Sequence, residues 1–127
     1  MRVIVVRHAK AAPGGPDDAR PLTESGREAA RMLGELIADR RPDAVVSSPL
    51  VRARETAEAI AAAAGLAVEV DDRLAPGADA ESLRVAVAGR GETVVTVGHQ
   101  PDCSQIVLAL TGREVHFPTA GFAELDL

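Results

Sequence analysis

Two histidines in this chain each close a run of β-branched residues, and an arginine stands beside the first. Arg7 and His8 follow Val3-Ile4-Val5-Val6, and His99 follows Thr93-Val94-Val95-Thr96-Val97 and Gly98. A neutral imidazole is a competent nucleophile near pH 7, and a guanidinium offers planar, multidentate donors to anionic oxygens. Arginine charges next to His8 also favour its unprotonated form, because a cation disfavours a second positive charge nearby. Each histidine has a bland alternative, a solvated turn at Arg7-His8 and a structural ring at His99.

A third group lies in Ser47-Ser48-Pro49-Leu50-Val51-Arg52-Ala53-Arg54-Glu55-Thr56-Ala57. Arg52 falls in the first turn of a predicted helix, so its guanidinium can reach back toward the preceding strand. The helix N-terminus adds unpaired N–H groups and partial positive charge, which suit an anion. Arg54 reads instead as a surface residue paired with Glu55 or Glu58.

The elements that must position these side chains follow from pattern. Val3 to Val6 and Ala44 to Val46 predict strands buried on both faces, and Ala67–Val70 and Thr93–Val97 predict two more. Between them, Ala29, Leu33, Leu36 and Ile37 recur at helical spacing, entered at Thr23 or Ser25, with Ser25 and Glu28 forming a capping box. A second helix runs from Pro49, capped by Ser48, through Ala57–Ala64 to Gly65. Glu81–Ala88 and Pro101–Leu110 predict the last two, and the tail Glu114–Leu127 predicts an edge strand. The expected fold is therefore α/β: one domain over residues 1–127, a three-layer α/β/α sandwich with a mainly parallel sheet and an antiparallel edge strand. Ligands of such sheets sit beyond the carboxyl ends of the strands. Arg7, His8, Ser47, Ser48 and His99 all fall there.

Composition sets the outer limits. The 127 residues are 46% hydrophobic and 26% charged, values of an ordinary globular domain. Two Phe and no Trp or Tyr leave the core to Ala, Val and Leu. A net charge of −5 argues against nucleic acid and anionic membrane as partners. One cysteine, Cys103, suits a reducing compartment, and no apolar run approaches a membrane span. The apolar stretch before His8 is too short for a secretion signal, so a cytoplasmic location is expected.

Four blocks in order make the pattern specific: Val6-Arg7-His8-Ala9; Arg20-Pro21-Leu22-Thr23 with Gly26; Ser48-Pro49-Leu50-Val51-Arg52-Ala53 with Thr56-Ala57; and Gly98-His99. Together they resemble the histidine phosphatase (phosphoglycerate-mutase-like) superfamily, most of all its small SixA-type phosphohistidine phosphatases. The resemblance implies that His8 takes up a phosphoryl group as nucleophile, that Arg7 and Arg52 clamp its oxygens, and that His99 stabilises the charge on them. Arg20 and Ser48, in the matched blocks, join Arg7 and Arg52 as substrate-binding residues. No cofactor or metal is implied. The substrate is a phosphorylated partner, either a protein carrying phosphohistidine or a small phosphorylated molecule.

Two departures from the family pattern bear on activity. Ala9 replaces the family glycine after the histidine, which can tighten the pocket by a methyl group. The acid that many members place beyond the third strand is missing from Asp72-Arg73-Leu74-Ala75-Pro76-Gly77, and Asp79 and Glu81 nearby could be ordinary helix-start carboxylates. A phosphate monoester leaves as an alkoxide and needs a proton, whereas imidazole, with a pKa near ~6.5, is readily protonated by solvent. Lack of a fixed acid therefore favours phosphohistidine as substrate. The competing readings are a broad small-molecule phosphomonoesterase with the same site and a non-catalytic phosphoprotein-binding module.

Other phosphate chemistries fail on residue type. Cys103 is not followed by the arginine of a cysteine-phosphatase loop, Gly14-Gly15 lacks the Gly-Lys-Ser/Thr of a P-loop, and the three histidines lack metal-site spacing. His116 reads as structural or exposed, and Cys103 as a small buried residue near a helix start.

Overall fold

The computed structural model describes residues Met1–Leu127. Five strands and four helices succeed one another as β1 (Arg2–Arg7), α1 (Glu24–Ala38), β2 (Ala44–Ser47), α2 (Val51–Ala64), β3 (Val68–Val70), α3 (Ala80–Val87), β4 (Thr93–Gly98), α4 (Asp102–Thr111) and β5 (Phe122–Asp126). Short 3-10 turns at Asp17–Ala19 and Asp72–Leu74 interrupt the loops after β1 and β3. The sheet order is β3-β2-β4-β1-β5, with β5 alone antiparallel, beside β1. This is the α/β sandwich expected, including its antiparallel edge strand.

The β-branched runs explain the layering. Alternate residues of β1, β2 and β4 point to opposite faces, and both faces are dry. Val3, Val5, Val46 and Val94 pack under α3 and α4, against Leu83, Val87, Ile106, Val107 and Phe117. Ile4, Val6, Val45, Val95 and Val97 pack under α1 and α2, against Leu33, Ile37, Ala57 and Ile60. Strands sandwiched this way carry no polar stripe, so their sequence shows no alternation.

The shortage of aromatic side chains is met by close approach of backbones. On α2, Ala53, Ala57 and Ala61 are buried. Gly34 of α1 lies so near that an added Cβ would stand 2.8 Å from the carbonyl oxygen of Ala59. Small residues on both helices let them settle tightly over the sheet.

Local starts and stops differ from expectation in three places. Helix α1 is capped by Thr23, whose hydroxyl accepts from Gly26 N–H at 2.9 Å, so Ser25 and Glu28 form no capping box. Glu28 pairs instead with Arg31 along the exposed face. Helix α2 begins at Val51, after Pro49 rather than at it, and Leu50 holds the cap position. Ser48 Oγ still accepts from Leu50 N–H at 3.3 Å, but its main partner lies in the site described below. A capping box does occur at α3, where Asp79 and Ser82 bond reciprocally. On α2, Arg54 is exposed and makes no ion pair, while Glu55 turns inward to accept from Leu22 N–H at 2.7 Å.

Candidate active site

Sheet register alone brings the histidines together. In the parallel ladders Arg7 stands opposite Gly98 and Ser47 opposite Val97, so β1 and β4 end level and β2 one residue earlier. Each chain then bonds once more to its neighbour: His8 N–H donates to Gly98 O and Ser48 N–H to Val97 O, both at 3.0 Å. His8, His99 and Ser48 are thus the first residues beyond three adjacent strands. After β3 the chain turns back across the sheet, and its helices change from one face to the other. The ends of β1 and β4 lie at that reversal, where α/β sheets open a crevice.

The rings of His8 and His99 face each other with centroids 5.3 Å apart, tilted by 56°. His8 Nδ1 lies 2.7 Å from the carbonyl oxygen of Ala9. A carbonyl only accepts, so Nδ1 carries the proton in this contact, and Nε2 keeps its lone pair. The Ala9 peptide is itself held. Its N–H donates at 3.0 Å to Thr56 Oγ1, which donates at 2.8 Å to Arg52 O on α2. Ala9 is fully buried, so the methyl group that replaces glycine packs against Leu22 and Ala30 rather than projecting into solvent.

His99 is buried and lies 2.7 Å from Ser48 Oγ through its Nε2. Leu50 N–H also donates to that hydroxyl, whose own proton is available to Nε2; in that arrangement the ring proton sits on Nδ1. Arg7 donates from Nη1 to the carbonyl oxygen of Phe117 at 2.9 Å. Arg52, buried in the first turn of α2, donates from Nη1 to Asp17 O at 2.7 Å and from Nη2 to Asp17 Oδ2 at 3.3 Å. Arg20 joins from the same loop, pairing with Asp17 Oδ1 at 3.1 Å and with Ala12 O at 3.2 Å.

Three buried side-chain polar atoms have no hydrogen-bond partner: Arg7 Nε, Arg52 Nε and His99 Nδ1. All belong to this crevice. Buried donors are nearly always satisfied, so three orphans on converging residues mark a place built for an external acceptor. Three guanidinium groups close to one imidazole also set a local positive field inside a chain of net charge −5.

That field acts on both rings. Burial holds the His8 pKa below its ordinary 6.5; the Ala9 carbonyl opposes this, and Arg52, Arg7 and Arg20 push further down. Burial, the facing His8 and Arg52 take His99 down to about 4, against a small opposing pull from Asp17. Both imidazoles are neutral at pH 7. In the unfolded chain they take protons near 6.5, so the unfolded state binds more protons between 6.5 and about 4. Stability therefore falls as pH drops through that window, with His99 accounting for about 3 kcal/mol by its lower end. Urea unfolding at neutral and at mildly acidic pH measures this loss, and His99→Asn is expected to shrink it.

Sequence reading named Arg7, His8, Arg20, Ser48, Arg52 and His99, and these six occupy one crevice. It passed over three features. Asp17 has no signature in the sequence beyond its place in the loop after β1, yet its carboxylate bridges Arg52 and Arg20. Thr56 had no role, yet it fixes the Ala9 peptide. The carbonyl of Phe117 anchors Arg7, and a main-chain acceptor has no signature in residue type. Asp79 is exposed and spends its carboxylate on the Ser82 N–H and hydroxyl, which hold its pKa below the usual range. Glu81 is exposed in the first turn of α3, and His116 is exposed as well. Cys103 is buried at the start of α4, where burial pushes its thiol up to about 12. No three His, Cys, Asp or Glu side chains lie close enough together to hold a metal ion, and no helix is long and apolar enough to cross a membrane.

Comparison with known proteins decides the family. Residues 3–76, which carry His8, Arg20 and Arg52, match the family model of the histidine phosphatase superfamily (branch 1). The chain belongs to the histidine phosphatase superfamily. Among solved structures of this fold, SixA from Agrobacterium tumefaciens is 36% identical and superposes with a TM-score of 0.83 over 98% of this chain and 90% of that one. A protein histidine phosphatase SixA complexed with tungstate is 27% identical, with a TM-score of 0.87 over 100% of this chain and 88% of that one. An uncharacterized protein of Picosynechococcus sp. is 32% identical over 98% of this chain and 84% of its own length. A histidine phosphatase fold with SixA-like architecture supports phosphatase activity.

Proposed function

We propose that the protein is a phosphohistidine phosphatase acting through a phosphoryl-enzyme intermediate on His8. The observation that carries this reading is the crevice itself: an imidazole with its lone pair on Nε2, ringed by Arg7, Arg52 and His99, each with an unpaired buried donor. Phosphoryl transfer requires little of a protein beyond positioning and positive groups around three equatorial oxygens. His8 Nε2 forms a bond to phosphorus as the bond to the leaving nitrogen breaks. That nitrogen keeps the electron pair and takes a proton from water. A second water then attacks the phosphoryl group on His8, releasing inorganic phosphate and restoring the neutral ring. Arg7 and Arg52 hold the oxygens in both steps, Arg20 adds positive charge at the rim, and His99 donates from Nδ1. Ser48 acts through His99 by holding its Nε2.

The leaving group is argued from carboxylates. Asp17, which touches the clamp, is held ionised chiefly by Arg52, with Arg20 helping, and is a poor proton donor. Asp79 is likewise ionised and committed to its cap. A positioned acid contributes roughly 10²–10⁴-fold where the leaving group is an alkoxide. An imidazole, with a pKa near ~6.5, forgoes that help at little cost. Protein phosphohistidine is the substrate that best matches this site, and the A. tumefaciens and tungstate-bound relatives both carry the SixA name.

A substrate panel tests the reading. A phosphohistidine peptide is expected to exceed phenyl and sugar phosphates in kcat/KM by about 10²-fold or more, the share that a missing acid withholds from monoesters. A preference for monoesters would make the protein a general phosphomonoesterase. No turnover of any phosphorylated compound would leave a binding module.

A further inference from the structure

The carboxylate of Asp17 occupies the arginine that the reaction needs. It projects from the 3-10 turn Asp17–Ala19, in the loop between β1 and α1. Oδ2 lies 3.3 Å from Arg52 Nη2, and Oδ1 lies 3.1 Å from both Nε and Nη2 of Arg20. The Arg52 side chain is 8% exposed, and that of Asp17 is 71% exposed. The guanidinium is thus rooted inside the crevice, and the carboxylate covers it from the solvent side. Carboxylate and phosphoryl oxygens engage a guanidinium in the same planar geometry, so they compete for the same donors. Asp17 also reaches further in, since its charge pulls against the other influences on the buried His99 ring.

We infer that Asp17 is a specificity-determining residue, an internal carboxylate that the phosphoryl group of a substrate must displace from Arg52 and Arg20. The inference rests on the reading of Arg52 as phosphoryl clamp. The carboxylate side of this pair is exposed to solvent and tied by a single 3.3 Å contact to Arg52, so a phosphoryl group with three oxygens and the further donors of Arg7 and His99 displaces it. Free phosphate meets the same donors but lacks the rest of a substrate to add contacts, so for it the competition weighs more. Displaced, the Asp17 charge stays at the rim on its own loop and opposes any acidic group next to the phosphoryl. Specificity by repulsion of this kind excludes carboxylate-bearing phosphate esters and leaves an imidazole on a protein surface untouched.

Arg52 does not depend on the Asp17 carboxylate for its place, because the main-chain oxygen of the same residue accepts from Arg52 Nη1 at 2.7 Å. Asp17→Asn therefore removes the charge and keeps the anchor. Direct titration of inorganic phosphate into wild type and Asp17→Asn, followed by calorimetry, is expected to show about tenfold tighter binding by the variant, a gap that narrows as salt rises. Asp17→Ala, at an exposed position, is expected to move in the same direction. In kinetics, the ratio of kcat/KM for phosphoglycolate to that for phenyl phosphate is expected to rise by a similar factor. Unchanged or weaker phosphate binding in both variants would overturn the inference, and weaker binding would make Asp17 a positioning residue for Arg52. The two readings fail separately. A wild type that turns over phosphorylated substrates without tightening in the variants overturns the role of Asp17 alone. Tightening in a protein without turnover upholds the competition and overturns the phosphatase.

Discussion

His8→Ala is expected to abolish release of phosphate from every substrate, with a loss on the order of 10⁴–10⁶-fold in kcat, the scale seen when a covalent nucleophile is removed. Three features make the loss specific to chemistry. The ring is half-buried at a strand end, so its removal leaves the two hydrophobic layers intact. The Ala9 peptide, whose carbonyl loses its partner with Nδ1, stays in place because its N–H still donates to Thr56 Oγ1. Arg7, Arg52 and His99 are each tethered elsewhere, to Phe117, Asp17 and Ser48, so the anion site survives the substitution. A melting temperature close to that of wild type, with inorganic phosphate still bound and turnover gone, is the expected combination. Rapid acid-free quenching of the wild type with labelled substrate is expected to trap one phosphoryl group per chain, and none on the variant. The acid limb of the kcat/KM profile provides a second signature. Burial and the arginines hold the pKa of His8 below 6.5, so the nucleophile stays neutral at that pH and activity declines only in more acidic solution. A limb at or above 6.5, or persistent turnover in His8→Ala, would move the nucleophile elsewhere.

Arg52→Lys is the second large effect. Lysine keeps the charge but offers a compact ammonium in place of a planar fork, and it loses the parallel N–H donors that match a phosphoryl group. A loss of roughly 10²–10³-fold in kcat is expected, the size associated with removing one preorganised donor from a developing oxyanion. Arg52→Ala is expected to lose more and to lower stability, since it empties a buried site in the first turn of α2. Comparing the two separates clamp from scaffold. If Arg52→Lys retains full activity while Arg52→Ala does not fold, Arg52 serves the fold alone. Arg52→Ala also removes one of the two arginine partners of Asp17, which keeps its pairing with Arg20.

The main lines of this protein were legible because they rest on local rules. Four β-branched runs separated by helical periodicities can only be stacked in a few ways, and buried parallel strands announce themselves by having no polar face. Once the strands were placed, the residues just beyond them shared one end of the sheet. Strand order alone therefore makes Arg7, His8, Ser48 and His99 neighbours. Arg52 followed from its place in the first turn of the helix after β2. Boundaries were less legible where several residues could do the same work. Thr23 rather than Ser25 caps α1, because only Thr23 sits where its hydroxyl meets the Gly26 N–H.

What sequence alone determined is the set of chemical groups and the sheet end at which they meet; both follow from residue type, period and strand order. What only the tertiary structure decided is how those groups are held. The Ala9 carbonyl sets the tautomer of its neighbour His8, while the Thr56 hydroxyl that fixes Ala9, the Phe117 carbonyl that anchors Arg7 and the Asp17 carboxylate that covers Arg52 lie far along the chain from the residues they hold. Two of the four are main-chain atoms, which every residue carries, so no residue type could point to them. Their selection depends on where loops return over the sheet, and that is set by packing of the whole domain rather than by any local pattern.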